Sequence, residues 1–307
     1  MSDIKLFTIQ DGKAKELKGS EAALEKSLQV LIENNLDVLL GINFLASEYS
    51  TGPIHGGRID SLGLDENHCP VIIEYKRSTN ENVINQGLYY LDWLMDHQAE
   101  FKLLVMEKLG KEIADEIEWI APRLLCIAGG FTKFDSHAVK QINRNIELIK
   151  YSHFEGDLLA FELINAIQAE SKSSTGNVIK PSSTASSNQY KHFEEYLSQS
   201  DQTLKDLFDQ FDQFCQNLGD DVQVKTLKFY QAYKRIKNFA CAEVRPSLGH
   251  VLVFLKLNPD SIDLIDGFSR DVRGVGHYGT GDLEITIRSM EDLDKAKSLI
   301  VAAFENN

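Results

Sequence analysis

The most informative segment of the chain is residues 56–91, which read GGRIDSLGLDENHCPVIIEYKRSTNENVINQGLYYL. Two apolar runs, Arg58 to Leu64 and Pro70 to Lys76, flank the short polar connection DENH. Runs of this length on either side of a polar turn predict a β-hairpin. The residues from about Glu81 to Met95 are predicted to form a helix that follows the hairpin.

Three polar residues stand out in these otherwise apolar strands. A turn centred in the middle of the connection sets Asp60 across from Ile73 and beside Glu74. Because successive side chains of a strand point to opposite faces, Glu74 and Lys76 share a face. The sequence therefore predicts that Asp60, Glu74 and Lys76 converge at one end of a largely buried sheet.

Two carboxylates and an ammonium group in this arrangement indicate a particular chemistry. Carboxylates held close together in a partly dry site repel each other, so one takes up a proton or a cation lies between them. One or two carboxylates, completed by water and phosphate, are the usual ligands of Mg²⁺. Such an ion lowers the pKa of bound water and stabilises charge on a phosphoryl group. Asp60, Glu74 and Lys76 thus indicate phosphoryl chemistry with Mg²⁺ or Mn²⁺ as the cofactor.

Three further residues are candidates for the same site. Gln86 and Tyr90 are four residues apart on the predicted helix and share a face, so an amide and a hydroxyl group could hold metal-bound water or a phosphate. Glu25, on the first predicted helix, could supply another carboxylate. Core packing is the alternative for Tyr90, and a solvated surface charge is the alternative for Glu25.

The ordered set of these positions resembles the PD-(D/E)XK nuclease superfamily, and in particular the NucS-type endonuclease domain. The resemblance covers residues 20–165 and rests on a helical Glu, an Asp after G-x-I, Glu-x-Lys and Gln-x-x-x-Tyr. These elements stand at Glu25, Asp60, Glu74, Lys76, Gln86 and Tyr90. The resemblance implies an α/β restriction-endonuclease-like core, in which a mixed sheet is flanked by helices.

The resemblance also implies a role for each residue. Asp60 and Glu74 would bind the metal together with the Tyr75 carbonyl, and Glu25 would assist them. Lys76 would orient the attacking water, while the Gln and Tyr of the helix would complete the site. NucS proteins carry a separate N-terminal DNA-binding and dimerisation domain, whereas the nuclease pattern comes first here. Branched-DNA or mismatch specificity is therefore not implied. A homodimer is expected only from the resemblance to this family.

A change of composition divides the chain. Residues 171–190 are rich in Ser, Thr, Gly and Pro and predict a flexible linker between a nuclease-like domain, 1–170, and a small α+β domain, 191–307. Further elements predicted in the first domain are a helix over 20–34 with Ser20 as N-cap, a strand Val38–Leu45, a helix Ala99–Ile117, a strand Arg123–Ala128, a helix Ser136–Asn145, and strands 146–153 and 157–164.

The second domain is predicted to begin with an acidic amphipathic helix and to end with another helix. The predicted elements are helices 201–218 and Glu291–Phe304, and strands Lys228–Arg235, Phe239–Arg245, His250–Leu257 and Leu283–Arg288. The stretches NFACAEVRPSLGHVLVFLKLNP and RDVRGVGHYGTGDLEITIRSMEDLDKAKSLI resemble a small uncharacterised domain found behind such nucleases. Homologues of that domain carry the label predicted transport protein.

The composition argues against several classes of protein. The four cysteines (Cys69, Cys126, Cys215 and Cys241) are far apart in sequence and form no CxxC pair, which favours buried reduced thiols over a disulfide framework. No apolar run reaches the ~18 residues that span a bilayer, and the N-terminus lacks a signal-peptide core. We therefore expect a soluble cytoplasmic protein and no membrane channel or carrier. The net charge of −14 argues against nucleic-acid binding over the whole surface but leaves a local basic groove open.

Basic and glycine-rich stretches are candidates for binding. The candidate nucleic-acid contacts are Arg58, Lys234, Arg235 and Lys237, the last three being interleaved with aromatic residues. A solvated strand face is the alternative for these three. The stretch RDVRGVGHYGTG, residues 270–281, lacks the Walker A spacing and is predicted to be a loop, with a binding lip and a nucleotide site as the alternatives.

The sequence thus predicts a metal-dependent endonuclease that hydrolyses phosphodiester bonds in DNA by metal-activated water, with RNA as a substrate left open. One alternative is a nucleic-acid or nucleotide sensing protein that uses a nuclease fold as a scaffold. Another is a regulatory interaction protein in which helix 201–218 docks a partner. Strandedness, sequence preference, pathway and the ligand of the second domain stay open.

Overall fold

The computed structural model of the chain describes residues 4–20, 25–76, 82–167 and 192–307. The chain divides into two compact units, residues 1–170 and 171–307. The predicted linker, 171–190, lies outside the described residues. In the part of the chain that the structure describes, no helix has the length and apolar character needed to cross a membrane.

The first unit contains an N-terminal hairpin, a large sheet and seven helices within its described residues. The strands are β1 (Leu6–Gln10), β2 (Lys13–Leu17), β3 (Gly19–Ser20), β4 (Ile42–Ser50), β5 (Arg58–Asp65), β6 (Pro70–Lys76), β7 (Arg123–Ala128), β8 (Asn145–Phe154) and β9 (Leu158–Ile167). The helices are α1 (Glu25–Glu33), α2 (Leu36–Leu40), α3 (Gly52–His55), α4 (Asn82–Asp96), α5 (Gln98–Leu109), α6 (Lys111–Asp115) and α7 (Lys133–Val139).

The large sheet is mixed, as the sequence predicts. Among the described residues its strand order is β3-β8-β7-β6-β5-β4, and β9 pairs with β8. The β4, β5 and β6 strands form an antiparallel meander, while β6, β7 and β8 run parallel. Helices connect the parallel strands and cover the sheet, which is the usual way that such strands are buried. The predicted mixed sheet flanked by helices is therefore confirmed.

Alternation along the strands separates the two faces of this sheet. On one face, Leu62, Leu64 and Ile72 belong to a buried cluster that includes Leu91 and Leu94 of α4. On the other face, Ser61 Oγ of β5 donates a hydrogen bond to Glu33 Oε1 at the end of α1 (2.6 Å). Helices α1 and α4 thus contact opposite faces of the hairpin β5–β6, and any site at its open end lies between them.

Two predicted elements are wrong because a glycine ends a helix there. The predicted strand Val38–Leu45 begins as helix α2, which buries Leu36 and Leu40 one turn apart and stops at Gly41. Gly41 has φ +64°, a left-handed conformation that favours glycine. The predicted helix Ala99–Ile117 is broken into α5 and α6 at Gly110, where φ is +97°.

Other boundaries also move. The predicted helix Ser136–Asn145 is α7, which starts earlier because Thr132 and Asp135 form a capping box. Ser20, predicted as an N-cap, lies in strand β3 and pairs with His153, and residues 21–24 between it and α1 lie outside the described part. The hairpin β1–β2 was not predicted. Its exposed strands lack the alternation of a half-buried sheet, and this alternation is the main sequence signal for a strand.

The second unit is a small α+β fold. Its strands are β10 (Gln223–Thr226), β11 (Gln231–Lys234), β12 (Asn238–Arg245), β13 (His250–Leu255), β14 (Ser269–Asp271) and β15 (Leu283–Ile287), and its helices are α8 (Phe193–Gln199), α9 (Gln202–Gln216) and α10 (Met290–Glu305). The strands form an antiparallel sheet in the order β10-β11-β12-β13-β15-β14. The three helices pack on one face of the sheet in a single buried cluster.

Most predicted elements of this unit are present. The predicted strand Lys228–Arg235 shortens to β11, because residues 227–230 form a turn in which the Leu227 N–H bonds to the Tyr230 carbonyl (2.8 Å). Strands β10 and β14 and helix α8 were not predicted. The four cysteines of the chain, all within the described residues, form no disulfide and are buried, as the sequence predicts.

Candidate active site

The hairpin β5–β6 has a register one residue away from the prediction. Ser61, rather than Asp60, lies across from Ile73. The turn contains three residues instead of two, because the His68 N–H bonds to the Asp65 carbonyl (2.9 Å) and His68 adopts φ +57°. A type I turn followed by a left-handed residue is a common three-residue hairpin loop. With this register, Asp60 lies directly across from Glu74.

Asp60 and Glu74 contact each other's strand through reciprocal hydrogen bonds. The main-chain N–H of Asp60 donates to Glu74 Oε1 (3.2 Å), and the main-chain N–H of Tyr75 donates to Asp60 Oδ2 (3.0 Å). Glu74 is fully buried (0% exposed), whereas Asp60 is partly exposed. The two carboxyl groups are therefore fixed beside each other where the hairpin opens.

Lys76 ends β6 and is partly exposed, two residues beyond Glu74. Strand alternation sets both side chains on the face that α4 covers. On the same face Cys126 of β7 lies beside Glu74 in register, and burial raises the pKa of its thiol, with the charge of Glu74 adding to the effect. The structure thus sets Asp60 beside Glu74, with Lys76 on the same face, and their role in a site stays a prediction.

Helix α1 contacts this site from the opposite face of the sheet. Gln29 Nε2 donates to the Asp60 carbonyl (2.9 Å) and to Glu33 Oε1 (2.9 Å). The Ser61 hydroxyl, which donates to Glu33, also lies 3.2 Å from the Tyr75 hydroxyl. Burial raises the pKa of Tyr75, and the charges of Glu33, Asp60 and Glu74 raise it further.

Sequence reasoning missed Gln29 and Glu33. A signal was present, because the two are one helical turn apart beside the apolar residues Leu28 and Ile32. Both positions read equally well as solvated surface residues in the sequence. Glu25 begins α1, one turn before Gln29, and its side chain lies outside the described part of the chain. Its assignment to the site therefore stays a prediction.

Gln86 and Tyr90 are joined as the helical spacing predicts. Gln86 Nε2 donates to the Tyr90 hydroxyl (3.2 Å), and the same oxygen accepts the main-chain N–H of Arg58 (3.1 Å). The ring of Tyr90 lies against Gly57, where an added Cβ would be 2.5 Å from ring atom Cε1. Tyr90 is buried and fixes the start of β5, two residues before Asp60.

We expect Tyr90→Phe to lower the free energy of unfolding by about 1–2 kcal/mol, since it leaves the Arg58 N–H in a partly buried place without its acceptor. Tyr89→Phe is the matched control, because the Tyr89 hydroxyl donates to the His55 carbonyl (2.9 Å) at an exposed position. Urea titrations followed by tryptophan fluorescence measure both changes. Equal losses in the two variants would contradict the anchoring role of Tyr90.

The donor set at this site fits a hard divalent cation. In the described part of the chain, no group of three or more His, Cys, Asp or Glu side chains is arranged to hold a metal ion. Asp60 and Glu74 are a pair, and Tyr75, whose carbonyl is the third predicted ligand, follows Glu74 directly in sequence. One or two carboxylates with carbonyl oxygen, water and phosphate suit Mg²⁺ and Mn²⁺, whereas a closed structural zinc site needs four protein ligands.

The three predicted nucleic-acid contacts of the second unit, Lys234, Arg235 and Lys237, do not form one exposed basic patch. Lys234 is buried (3% exposed), which contradicts its prediction as a surface contact. Arg235 pairs with Asp221 (2.7 Å) and stacks on the Phe304 ring. Lys237 is partly exposed. The sequence could not show this, because an irregular register between β11 and β12 at Tyr233/Lys234 sets the orientation of these side chains.

Arg58 is exposed near the candidate site but is already paired. Its Nε lies 2.5 Å from Glu48 Oε2, and Lys26 bonds to the other oxygen of the same carboxylate (2.7 Å). The hydrogen bond from Lys26 is the main cause that lowers the pKa of Glu48. Arg58 therefore stays a predicted contact, and its charge is partly neutralised in this structure.

Comparison with known proteins identifies a relative of the whole chain. An uncharacterized protein from Haemophilus influenzae is 30% identical over 99% of this chain and 100% of its own length. The chain therefore belongs to the same family as that protein. Residues 193–307 match the family described as Domain of unknown function (DUF5655), which corresponds to the second unit.

Three solved structures are similar to part of the chain. They are the EndoMS-dsDNA2 complex (TM-score 0.29), a repair endonuclease from Pyrococcus abyssi (TM-score 0.27) and EndoMS in apo form (TM-score 0.25). Each is 20% identical over 43% of this chain. The match spans less than half the length of those chains, 47% of the first two and 48% of the third.

Proposed function

We propose that the first unit is a metal-dependent endonuclease that hydrolyses phosphodiester bonds in DNA. The observation that carries this proposal is the pairing of Asp60 with Glu74 by reciprocal hydrogen bonds where the hairpin opens, with Lys76 on the same face. A buried carboxylate beside a partly exposed one, followed by a cation, is costly for stability alone. Such an arrangement suits a site that binds a metal ion and a phosphate.

Asp60, Glu74 and the Tyr75 carbonyl would hold Mg²⁺ or Mn²⁺, and Glu25 is a further proposed ligand. The bound ion would lower the pKa of water and stabilise the charge that develops on the phosphoryl group. Hydrogen bonds from the Asp60 and Tyr75 amides orient the two carboxylates before any ligand arrives. This preorganisation lowers the cost of binding a cation between them.

Lys76 is proposed to act on the water and the phosphate directly. At the end of β6 it is partly exposed, so its ammonium group can reach substrate while Glu74 stays buried. There it would donate a hydrogen bond to the attacking water and neutralise a phosphate oxygen. Gln86 and Tyr90 are proposed positioning residues, since their contact with the Arg58 amide fixes the strand that carries Asp60.

Metal dependence is the first expected result. Purified protein should cleave plasmid, linear duplex or single-stranded DNA in the presence of Mg²⁺ or Mn²⁺, and EDTA should abolish the cleavage. Quantifying products on gels for each substrate and metal measures the activity and shows the preferred form of DNA. Cleavage that persists in EDTA would contradict a metal-dependent site. Binding of DNA without cleavage in any metal would contradict the nuclease and favour the scaffold alternative.

A further inference from the structure

The sheet of the second unit has a polar face opposite its helices. Strand β12 alternates strictly, with Ala240, Ala242 and Val244 in the buried cluster against the helices. The residues between and after them therefore point to the other face. These residues are Cys241, Glu243 and Arg245.

The end of this face carries a row of three basic residues from three neighbouring strands. Arg245 of β12 pairs in register with His250 of β13. The pairing of Val251 with Ile287 sets His250 beside Arg288, which follows β15. Arg245 and Arg288 lie close enough to lower the pKa of His250, although burial is the larger cause. Because both effects favour the neutral form of His250, the positive charge that could attract an anion at this end of the face comes from Arg245 and Arg288.

Glu243 lies one step along the strand from this row and is almost completely buried (2% exposed). One of its carboxylate oxygens, Oε2, pairs with the Arg245 guanidinium. The other, Oε1, is buried and has no hydrogen-bond partner among the described residues. Burial is the main cause that raises the pKa of Glu243, while Arg245 and the Tyr278 amide oppose it. A buried oxygen without a donor is costly, which indicates that a ligand completes the site.

The glycine-rich loop that the sequence singled out lies against the same face. The His277 ring stacks on Phe254 of β13, with centroids 4.2 Å apart and planes at 6°. At Gly279, φ is +78° and an added Cβ would be 2.7 Å from the Cβ of Cys241, so only glycine fits. Tyr278, between His277 and Gly279 in sequence, is 42% exposed, and its ring packs against that of Phe229 with centroids 4.4 Å apart. Its main-chain N–H hydrogen-bonds to Glu243, so the loop brings a partly exposed aromatic residue to that carboxylate.

We propose that this face of the second unit binds a nucleotide. The phosphate would contact the basic row of Arg245, His250 and Arg288, and an N–H group of the base would donate to Glu243 Oε1. An inorganic anion would satisfy the row but leave the carboxylate oxygen without a donor. A nucleotide carries both a phosphate and base N–H groups, and its base can stack on Tyr278.

Calorimetric titration of the full-length chain with GMP, AMP and inorganic phosphate tests the proposal. At least one nucleotide should bind, and Glu243→Gln, which replaces the charged acceptor with an amide, should weaken that binding at least tenfold. It should not weaken the binding of phosphate, because it also releases Arg245 from its ion pair. Arg288→Gln, at an exposed position, should weaken the binding of nucleotide and of phosphate alike. Lys295→Gln is the charge-matched control on α10, where Lys295 pairs with Glu291 (2.8 Å), and it should bind like the parent.

Three outcomes would overturn the proposal. They are no binding of any nucleotide at millimolar concentration, binding of phosphate alone, and nucleotide binding that Arg288→Gln leaves unchanged. Circular dichroism of Glu243→Gln shows whether the variant is folded, and the result for Arg288→Gln decides the proposal if it is not. DNA cleavage is not the readout, so failure of the proposed nuclease leaves this test intact.

Discussion

Replacing Lys76 with alanine is expected to lower metal-dependent DNA cleavage at least about 100-fold, because the proposed donor to the developing charge is lost. Asp60→Asn should have an effect of similar or larger size, since it removes one of two carboxylates from the proposed metal site. Lys76 is partly exposed at the end of its strand, so its loss should change the free energy of unfolding little. Initial rates of plasmid cleavage in Mg²⁺ and in Mn²⁺ measure both variants.

Lys102→Ala is the matched control for Lys76→Ala. Lys102 lies on α5 in the same unit and pairs with Asp115 at the surface (2.7 Å), where an ion pair contributes little. Its cleavage rate should equal that of the parent. Thermal unfolding of all three variants shows whether a lost rate reflects lost structure. Full cleavage by both Lys76→Ala and Asp60→Asn would contradict the assignment of this site.

The hairpin that carries this site could be predicted from sequence, but its register could not. Two apolar runs joined by DENH predict strands β5 and β6 closely. The register depends on the turn, in which the Asp65 carboxylate accepts the amides of Asn67 and Cys69 (both 2.9 Å). These side-chain contacts favour a three-residue loop over a two-residue loop. A local pattern of apolar and polar residues does not contain that information.

The contacts of Gln29 and Tyr90 with the strand that carries Asp60 also could not be predicted from the sequence pattern. Gln29 contacts the Asp60 carbonyl across 31 positions of the chain, and Tyr90 contacts the Arg58 amide across 32. Periodicity shows which face of a helix is apolar, but it does not show which polar group that face meets. The prediction that Lys234 is a surface contact was wrong for the same reason, because its burial depends on strands that meet only in the folded sheet. The surroundings of such residues depend on contacts between distant segments. The shared face of Glu74 and Lys76, by contrast, follows from the alternation of a single strand.

A buried ion-pair network connects the turn of the hairpin to the parallel strands. Arg123 at the start of β7 donates two parallel hydrogen bonds to Glu147 of β8 (2.8 and 2.9 Å) and one to Asp65 (2.8 Å). Burial opposes the charge of Arg123, but the charges of Glu147 and Asp65 outweigh it and raise the pKa of the guanidinium. The other oxygen of the Asp65 carboxylate, Oδ1, accepts the turn amides, so the network helps to fix the register that brings Asp60 to Glu74.

Arg123→Ala is therefore expected to lower the free energy of unfolding of the first unit by about 3–5 kcal/mol, because two carboxylates then lose their buried cation. Arg123→Lys should also be costly, since an ammonium group cannot replace the paired donors to Glu147.

Both tryptophans of the chain, Trp93 and Trp119, lie in this unit, so urea titration followed by tryptophan fluorescence reports its unfolding. Lys111→Ala removes an exposed ion pair with Asp115, and such pairs contribute little to stability, so its effect on the free energy of unfolding should be small. A loss for Arg123→Ala no larger than that of Lys111→Ala would show that the network does not stabilise the hairpin. Because the network lies at the turn and Asp60 lies near the open end, the folded fraction of Arg123→Ala should still cleave DNA at a measurable rate.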